Sequence, residues 1–159
     1  MKLSFPLAAA FAALLSLSAC GGGGGDSGGS PAVVNDPAAL TKTDSSIGTG
    51  AEAVSGARVQ VNYTGWLYSA AAADFKGTKF DASQPGKPFT FVVGATGTSE
   101  SVIPGFSQGV QGMKVGGKRT IVMPSSLGYG AQGVQGVIPG NTGLVFEVEL
   151  VKVCGSAAC

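Results

Sequence analysis

The sequence predicts an α+β domain, a single curved antiparallel β-sheet wrapped around one short α-helix. Two observations carry this expectation. Four segments place apolar side chains at alternate positions, the period of a half-buried strand, and only one segment has the spacing of an amphipathic helix. Gly and Pro turn signals punctuate these segments, as Gly116-Gly117 and Pro124 do around the strand between them.

In "RVQVNYTGW", Val59, Val61 and Tyr63 share one face, as Phe89, Phe91 and Val93 do in "FTFVV". "KRTIVM", Lys118 to Met123, follows the turn signal Gly116-Gly117 and is stopped by Pro124. "LVFEVELVKV" puts Leu144, Phe146, Val148 and Leu150 on one side and Glu147 and Glu149 on the other. Such alternation is expected of antiparallel strands with one face packed and one wet. The helix is expected in "PGFSQGVQGM". Pro104 suits a first turn, and Phe106, Val110 and Met113 fall at i, i+4 and i+7. Gly109 and Gly112 give it poor intrinsic propensity, so it needs a sheet to lie on.

The chain before these elements is organised differently. Residues 1–19 carry one positive charge, Lys2, and then an apolar stretch ending in small residues, the pattern of an exported leader and not of a spanning helix. Leu17-Ser18-Ala19-Cys20 resembles the lipobox of bacterial lipoproteins, which implies a lipidated Cys20 as the mature N-terminus, held to a membrane by more than one acyl chain. The alternative is an ordinary secreted protein in which Cys20 is incidental. Residues 20–41, rich in Gly, Ser and Pro, read as a flexible tether. Residues 42–154 form the expected folded domain and 155–159 a short tail. The expected location is a bacterial envelope, with Gly21 after the cysteine favouring the outer membrane, facing the periplasm or the cell surface.

Composition excludes much. The chain has no histidine, and loss of Lys2 with the leader would leave nine basic and nine acidic side chains. A Ser-His-Asp triad, a Cys-His pair and the usual zinc ligands lack their parts. Nucleic-acid binding lacks the clustered Lys and Arg it needs, and no cofactor or metal is expected. Cys154 and Cys159, in an exported chain, are expected to form a disulfide. A loop that short restricts the unfolded chain by only ~2 kcal/mol, and the C-x-x-C spacing of a redox pair is absent.

The stretches "VNYTGWL", "GTKFDAS", "KPFTFVVG", "VIPGFSQGVQGMKVGGKR", "LGYG" and "GLVFEVELVKV" occur in an order and spacing that resemble the FKBP-type peptidyl-prolyl isomerases, from Lys42 to Val153. The resemblance implies an enzyme that rotates Xaa-Pro amides in proline-containing exported polypeptides, with macrolides as possible inhibitors. That rotation breaks no covalent bond and needs neither nucleophile nor metal, only relief of a barrier of about 18–20 kcal/mol. A dry apolar pocket favours the twisted amide, which has lost its resonance and charge separation, over the planar one, provided donors hold the carbonyls.

Residue by residue, the resemblance implies that Tyr63, Phe80, Phe89, Phe106, Val137, Ile138 and Phe146 line the pocket, with Val102 and Ile103 at its rim. The Ile103 backbone N–H would donate to a peptide carbonyl, and the Tyr129 hydroxyl to the carbonyl preceding proline. Asp81 would orient the Tyr63 hydroxyl and act on the electrostatics of the bound carbonyl, not as a general acid or base. Without the motifs, Phe89, Phe91 and Phe146 would read as core aromatics and Asp81 as a turn residue. Phe91 is left in the core, and Trp66 as packing at a strand end.

Three departures from the family pattern stand out. Phe106 occupies the place of a tryptophan beneath the proline ring, which keeps an aromatic floor and reduces its area. Val134 and Gly140 replace a histidine and a proline of some members, which puts loop rigidity in question. "YSAAAADFKG" (68–77) and "ATGTSES" (95–101) are insertions, the first expected as either a helical turn or a mobile flap. A second function remains open from the sequence: an envelope-tethered module that uses the same groove to hold partners, with isomerisation secondary. The tetrapeptide Val-Ile-Pro-Gly, at Val102–Gly105 and Val137–Gly140, has different neighbours each time and so is no repeated unit. It supplies a β-branched wall and a turn in two places.

Overall fold

The computed structural model describes residues 35–155 and 159; Cys20 and the leader lie outside them. In chain order the elements are β1 (Thr41–Ser46), β2 (Arg58–Tyr68), β3 (Lys76–Ala82), β4 (Phe89–Val92), α1 (Pro104–Val110), β5 (Lys118–Met123), a 3-10 turn (Ser125–Leu127) and β6 (Leu144–Gly155). They form one antiparallel six-stranded sheet in the order β1-β5-β6-β2-β3, with β4 also on β2. The α+β architecture of one curved sheet about one short helix is present.

The period-two segments face inward as their spacing requires. Val59, Val61, Phe91, Ile121, Leu144, Phe146, Val148 and Leu150 are buried in one cluster with Phe106, Val110 and Met113. The helix is shorter than its apolar spacing, ending at Val110, while Met113 joins the core from the turn beyond it. Its glycines have a packing reason. A Cβ on Gly109 would collide with the Ile121 side chain, so glycine at that position lets α1 lie directly on β5. Arg119 on β5 caps the helix end by donating to the carbonyls of Gly109 at 2.8 Å and Gln111 at 3.2 Å, and Asp44 on β1 grips the same guanidinium through both oxygens.

Two strands have no apolar alternation and were not anticipated. β1, "TKTDSS", is exposed along its whole length, and in β3, "KGTKFDA", Phe80 is the one large apolar side chain. Both are edge strands, recruited by backbone pairing with β5 and β2. β3 and β4 share one edge of the long β2: β3 pairs with Thr64–Tyr68, β4 with Arg58–Val61. Tyr63 lies in the gap between them, where Ser83 takes over the pairing, its N–H donating to the Tyr63 carbonyl at 3.0 Å and its Oγ accepting from the Tyr63 N–H at 3.0 Å.

The 68–77 insertion contains no helix and is a run of turns, with Ala72 N–H donating to Ser69 O at 3.2 Å and Phe75 N–H to Ala72 O at 3.0 Å. Paired strands enclose a tight turn in which Ser69 N–H donates to Phe75 O at 2.9 Å, and Phe75 stacks on Tyr68 with ring centroids 5.4 Å apart. In the 95–101 insertion, Glu100 is tied to β2 by Arg58 at 2.6 Å. The chain is also held earlier than the expected domain start at Lys42: residues 35–40, assigned to the tether from composition, include Asp36, which bonds Ser125. At the other end β6 runs through Gly155, and Cys154 and Cys159 are joined in a disulfide with Cα atoms 5.3 Å apart.

Candidate functional site

Three inner-face elements and one loop converge on an aromatic cup. β2 brings Tyr63, β6 brings Phe146, and the first turn of α1 brings Phe106. Phe106 is the floor: its ring meets Phe146 edge-on at 5.0 Å, Phe91 at 5.5 Å and Tyr63 at 5.6 Å. These tilted contacts suit the ring quadrupoles and lock Phe106 from three sides. Phe80 meets Phe146 at 5.6 Å, and Phe89 meets Tyr63 at 5.6 Å, so both stand as walls around the floor. Gly65 makes the wall possible, since a Cβ there would lie 2.8 Å from Phe146 and 2.9 Å from Phe80. Its signal in the sequence was only a glycine inside a strand pattern, which marks a close approach.

Phe89 and Phe91 share a strand face and stack at 6.0 Å, yet Phe89 is 39% exposed and Phe91 fully buried. Phe91 therefore backs the floor from within the core while Phe89 forms an open edge.

Polar groups stand at one side of the cup. The Tyr63 hydroxyl donates to Asp81 Oδ2 at 2.6 Å, and the Ala82 N–H donates to Asp81 Oδ1 at 2.8 Å, so both carboxylate oxygens are fixed. Burial, and then the hydrogen bond to Asp81, push the Tyr63 phenol well above its ordinary range, leaving it a donor at any physiological pH. Burial also pushes the Tyr129 phenol up, with the charge of Asp81 adding to it. Unlike Tyr63, the Tyr129 hydroxyl has no hydrogen-bond partner among the described residues. The Ile103 N–H, at the N-cap of α1, likewise meets no acceptor among them.

The loop after the 3-10 turn supplies the remaining wall. Val134 and Ile138 exchange backbone hydrogen bonds, each 2.8 Å, and Asn141 N–H donates to Gly130 O at 2.9 Å. At Gly140 any side chain would collide with the Ala131 carbonyl, so the loop is drawn tight by close approach where a proline was absent. Ile138 points into the core cluster and is 4% exposed, whereas neighbouring Val137 is 49% exposed and stands on the rim. Val102 and Ile103 pack against the core cluster from the helix side.

A concavity of about 430 Å³ lies on the outer face of the sheet, lined by Asn62, Thr64, Lys118, Thr120, Glu147 and Glu149 among others and bordering on Tyr63. Its walls are charged and hydroxylated, and Glu147 already pairs with Lys76 at 2.6 Å. It lacks the dry apolar wall that favours a twisted amide, so the aromatic cup is the candidate site.

The family model for FKBP-type peptidyl-prolyl cis-trans isomerases matches residues 50–151. An FK506-binding protein of Neisseria meningitidis serogroup A is 47% identical over 111 residues, which cover 69% of this chain and 92% of that protein. Peptidyl-prolyl cis-trans isomerase FPR2 of Saccharomyces cerevisiae is 47% identical over 107 residues, 67% of this chain and 72% of the yeast protein. Among solved structures, a peptidyl-prolyl cis-trans isomerase of Pseudomonas syringae pv. tomato superposes with a TM-score of 0.59 at 34% identity, over 79% of this chain and 83% of that one. FkpA from Escherichia coli superposes with a TM-score of 0.60 at 36% identity, over 74% of this chain and 49% of that one.

Proposed function

The chain belongs to the FKBP-type peptidyl-prolyl cis-trans isomerases and is an enzyme of that class, and from that premise we propose that the aromatic cup rotates Xaa-Pro bonds of exported polypeptides. The observation that carries this reading is the pair of donors without partners among the described residues, the Ile103 N–H and the Tyr129 O–H, beside the apolar floor. A bound peptide has unpaired carbonyls and a proline ring, the complement of both.

In this mechanism the proline ring rests on Phe106 between Tyr63, Phe89 and Phe146. The carbonyl preceding proline accepts from Tyr129, and a flanking peptide carbonyl accepts from Ile103 N–H. Planar and twisted amides differ in charge separation, so removing water from the planar form costs more than removing it from the twisted one. A hundred-thousandfold acceleration corresponds to about 7 kcal/mol of such differential stabilisation. Asp81 keeps the Tyr63 hydroxyl turned away from the proline ring and places negative charge at the wall; no proton is transferred.

The floor of phenylalanine is smaller than an indole and has no N–H. FK506-like macrolides are therefore proposed as competitors of reduced affinity. The leader and Cys20 are proposed to place the enzyme on the envelope, with lipid on Cys20 as the membrane attachment; mass determination of the N-terminal peptide checks it, and an unmodified cysteine there would refute it.

The test of the functional reading is isomerisation of Xaa-Pro test peptides by the full chain, with a macrolide as competitor. The expected result is acceleration that prefers an apolar residue before proline and falls as competitor is added. Peptide capture without acceleration would favour the partner-holding module instead.

A further inference from the structure

The loop that carries Tyr129 and Ile138 is gripped at both of its ends by the first described residues of the chain. Asp36 lies 89 positions before Ser125. Its Oδ1 accepts from the Ser125 N–H at 2.6 Å and its Oδ2 from the Ser125 hydroxyl at 2.7 Å. At the far end of the loop, the Gly143 N–H donates to the Asn35 carbonyl at 2.8 Å, and the Gly143 carbonyl accepts from the Tyr68 N–H at 2.8 Å.

Ser125 is a junction rather than an end point. It is 5% exposed, and its carbonyl accepts from the N–H groups of Gly128 at 2.9 Å and Gly130 at 2.8 Å, the two neighbours of Tyr129. Asp36 thus fixes Ser125 through its donors, and through its acceptor Ser125 fixes the Leu127–Gly128 peptide unit and the Tyr129–Gly130 unit that follows Tyr129. The Tyr129 hydroxyl has no partner among the described residues and its neighbours are glycines, so its direction is set by the backbone bonds of the turn, to Ser125 O and from Gly133 N–H to the Tyr129 carbonyl at 3.1 Å. A buried hydroxyl and amide left without Asp36 would lose both partners at once, which is costly enough to shift the turn.

We propose that Asp36 is a positioning residue for prolyl isomerisation, aiming the Tyr129 hydroxyl through Ser125 from the segment that composition assigns to a tether. The inference rests on the proposed role of Tyr129. It differs from a plain structural role in one respect: the effect of losing Asp36 on turnover must pass through the Tyr129 hydroxyl.

A double-mutant cycle on the full chain tests this, reading kcat/KM on an Xaa-Pro peptide with the folded fraction followed by circular dichroism. Asp36→Ala is expected to lower kcat/KM about fivefold in the parent chain, and by less than twofold in a Tyr129→Phe background. Asp36→Asn, which keeps an acceptor for the Ser125 amide, is expected to recover activity to within about twofold of the parent. If Asp36→Ala does not fold, Ser125→Ala carries the same cycle, since it removes only the hydroxyl's bond. A fivefold loss that persists undiminished in the Tyr129→Phe background overturns the inference alone. A Tyr129→Phe chain as active as the parent overturns both the inference and the role of Tyr129 on which it rests. No change on Asp36→Ala with Tyr129→Phe impaired overturns the inference and leaves that role standing.

Discussion

The floor and the rim of the cup are built on different principles. Phe106, Phe146, Phe91 and Tyr63 are held by strand pairing, core burial and mutual ring contacts. The rim, from Ser125 to Gly143, is held by backbone hydrogen bonds, by Asp36 and by the anchor of Ile138 in the core, and it leaves Tyr129 and Val137 half in solvent. A floor that excludes water can be made from the core itself, because its requirement is the core's requirement. Donors for a substrate must stay unpaired, so they sit where the protein's own pairing has run out.

Substitutions that act on one region and not the other sharpen this contrast. The largest effect is expected for Phe106→Ala, which opens a cavity shared by core and floor. Loss of about 3–5 kcal/mol of stability is expected on chemical denaturation, with isomerase activity lost in whatever fraction remains folded; a stable and active variant would mean that the floor lies elsewhere. Next comes Ile138→Asp against Val137→Asp. Adjacent in sequence, they differ by core burial, so the first is expected to cost stability by several kcal/mol through an unpaired buried carboxylate, and the second to change peptide KM with the melting temperature nearly intact. Equal damage from both would contradict the division between buried and rim positions.

Smaller effects follow from electrostatics. Both phenols of the site are pushed up from their ordinary value and the chain has no histidine, so kcat/KM is expected to be flat from about pH 6 to pH 9. A bell-shaped profile in that window would reveal a titrating acid or base that the mechanism does not contain. The smallest effect is at the far end of α1. The hydrogen bond from Arg119 holds the Asp44 carboxyl below its usual range. A depressed folded-state pKa stabilises the fold above the unfolded value, near pH 4, and that contribution is lost as pH falls through the folded value. Asp44→Asn is therefore expected to lower stability by about 0.5 kcal/mol or less at pH 7, given its exposure, with the difference fading as pH falls through the folded value.

The same contrast explains what the sequence disclosed. β2, β4, β5 and β6 were legible because burying one face imposes period two, and α1 because Phe106, Val110 and Met113 recur at helical spacing. β1 and β3 bury almost nothing of their own and are set by backbone pairing, which leaves no periodic trace. Period alone could not separate Phe89 from Phe91, since both face inward; Phe91 packs on Phe106 within the core, whereas Phe89 opens the strand and is partly exposed. The family resemblance supplied Tyr129 and the Ile103 N–H, for a backbone donor has no letter and a tyrosine between glycines resembles any loop. Asp36 was hidden by its surroundings, a polar residue in a Gly-, Ser- and Pro-rich stretch whose partner lies far along the chain.

The central claim, that an apolar floor works with unpartnered rim donors, is tested most directly by kcat/KM for Xaa-Pro isomerisation in Tyr129→Phe beside the parent chain. The change removes one oxygen that bonds to nothing among the described residues, so the melting temperature should not move. A donor that strengthens in the transition state is worth roughly 1.4 kcal/mol for each tenfold in rate, and a fall of about tenfold is expected. An unchanged kcat/KM at unchanged stability would contradict the account.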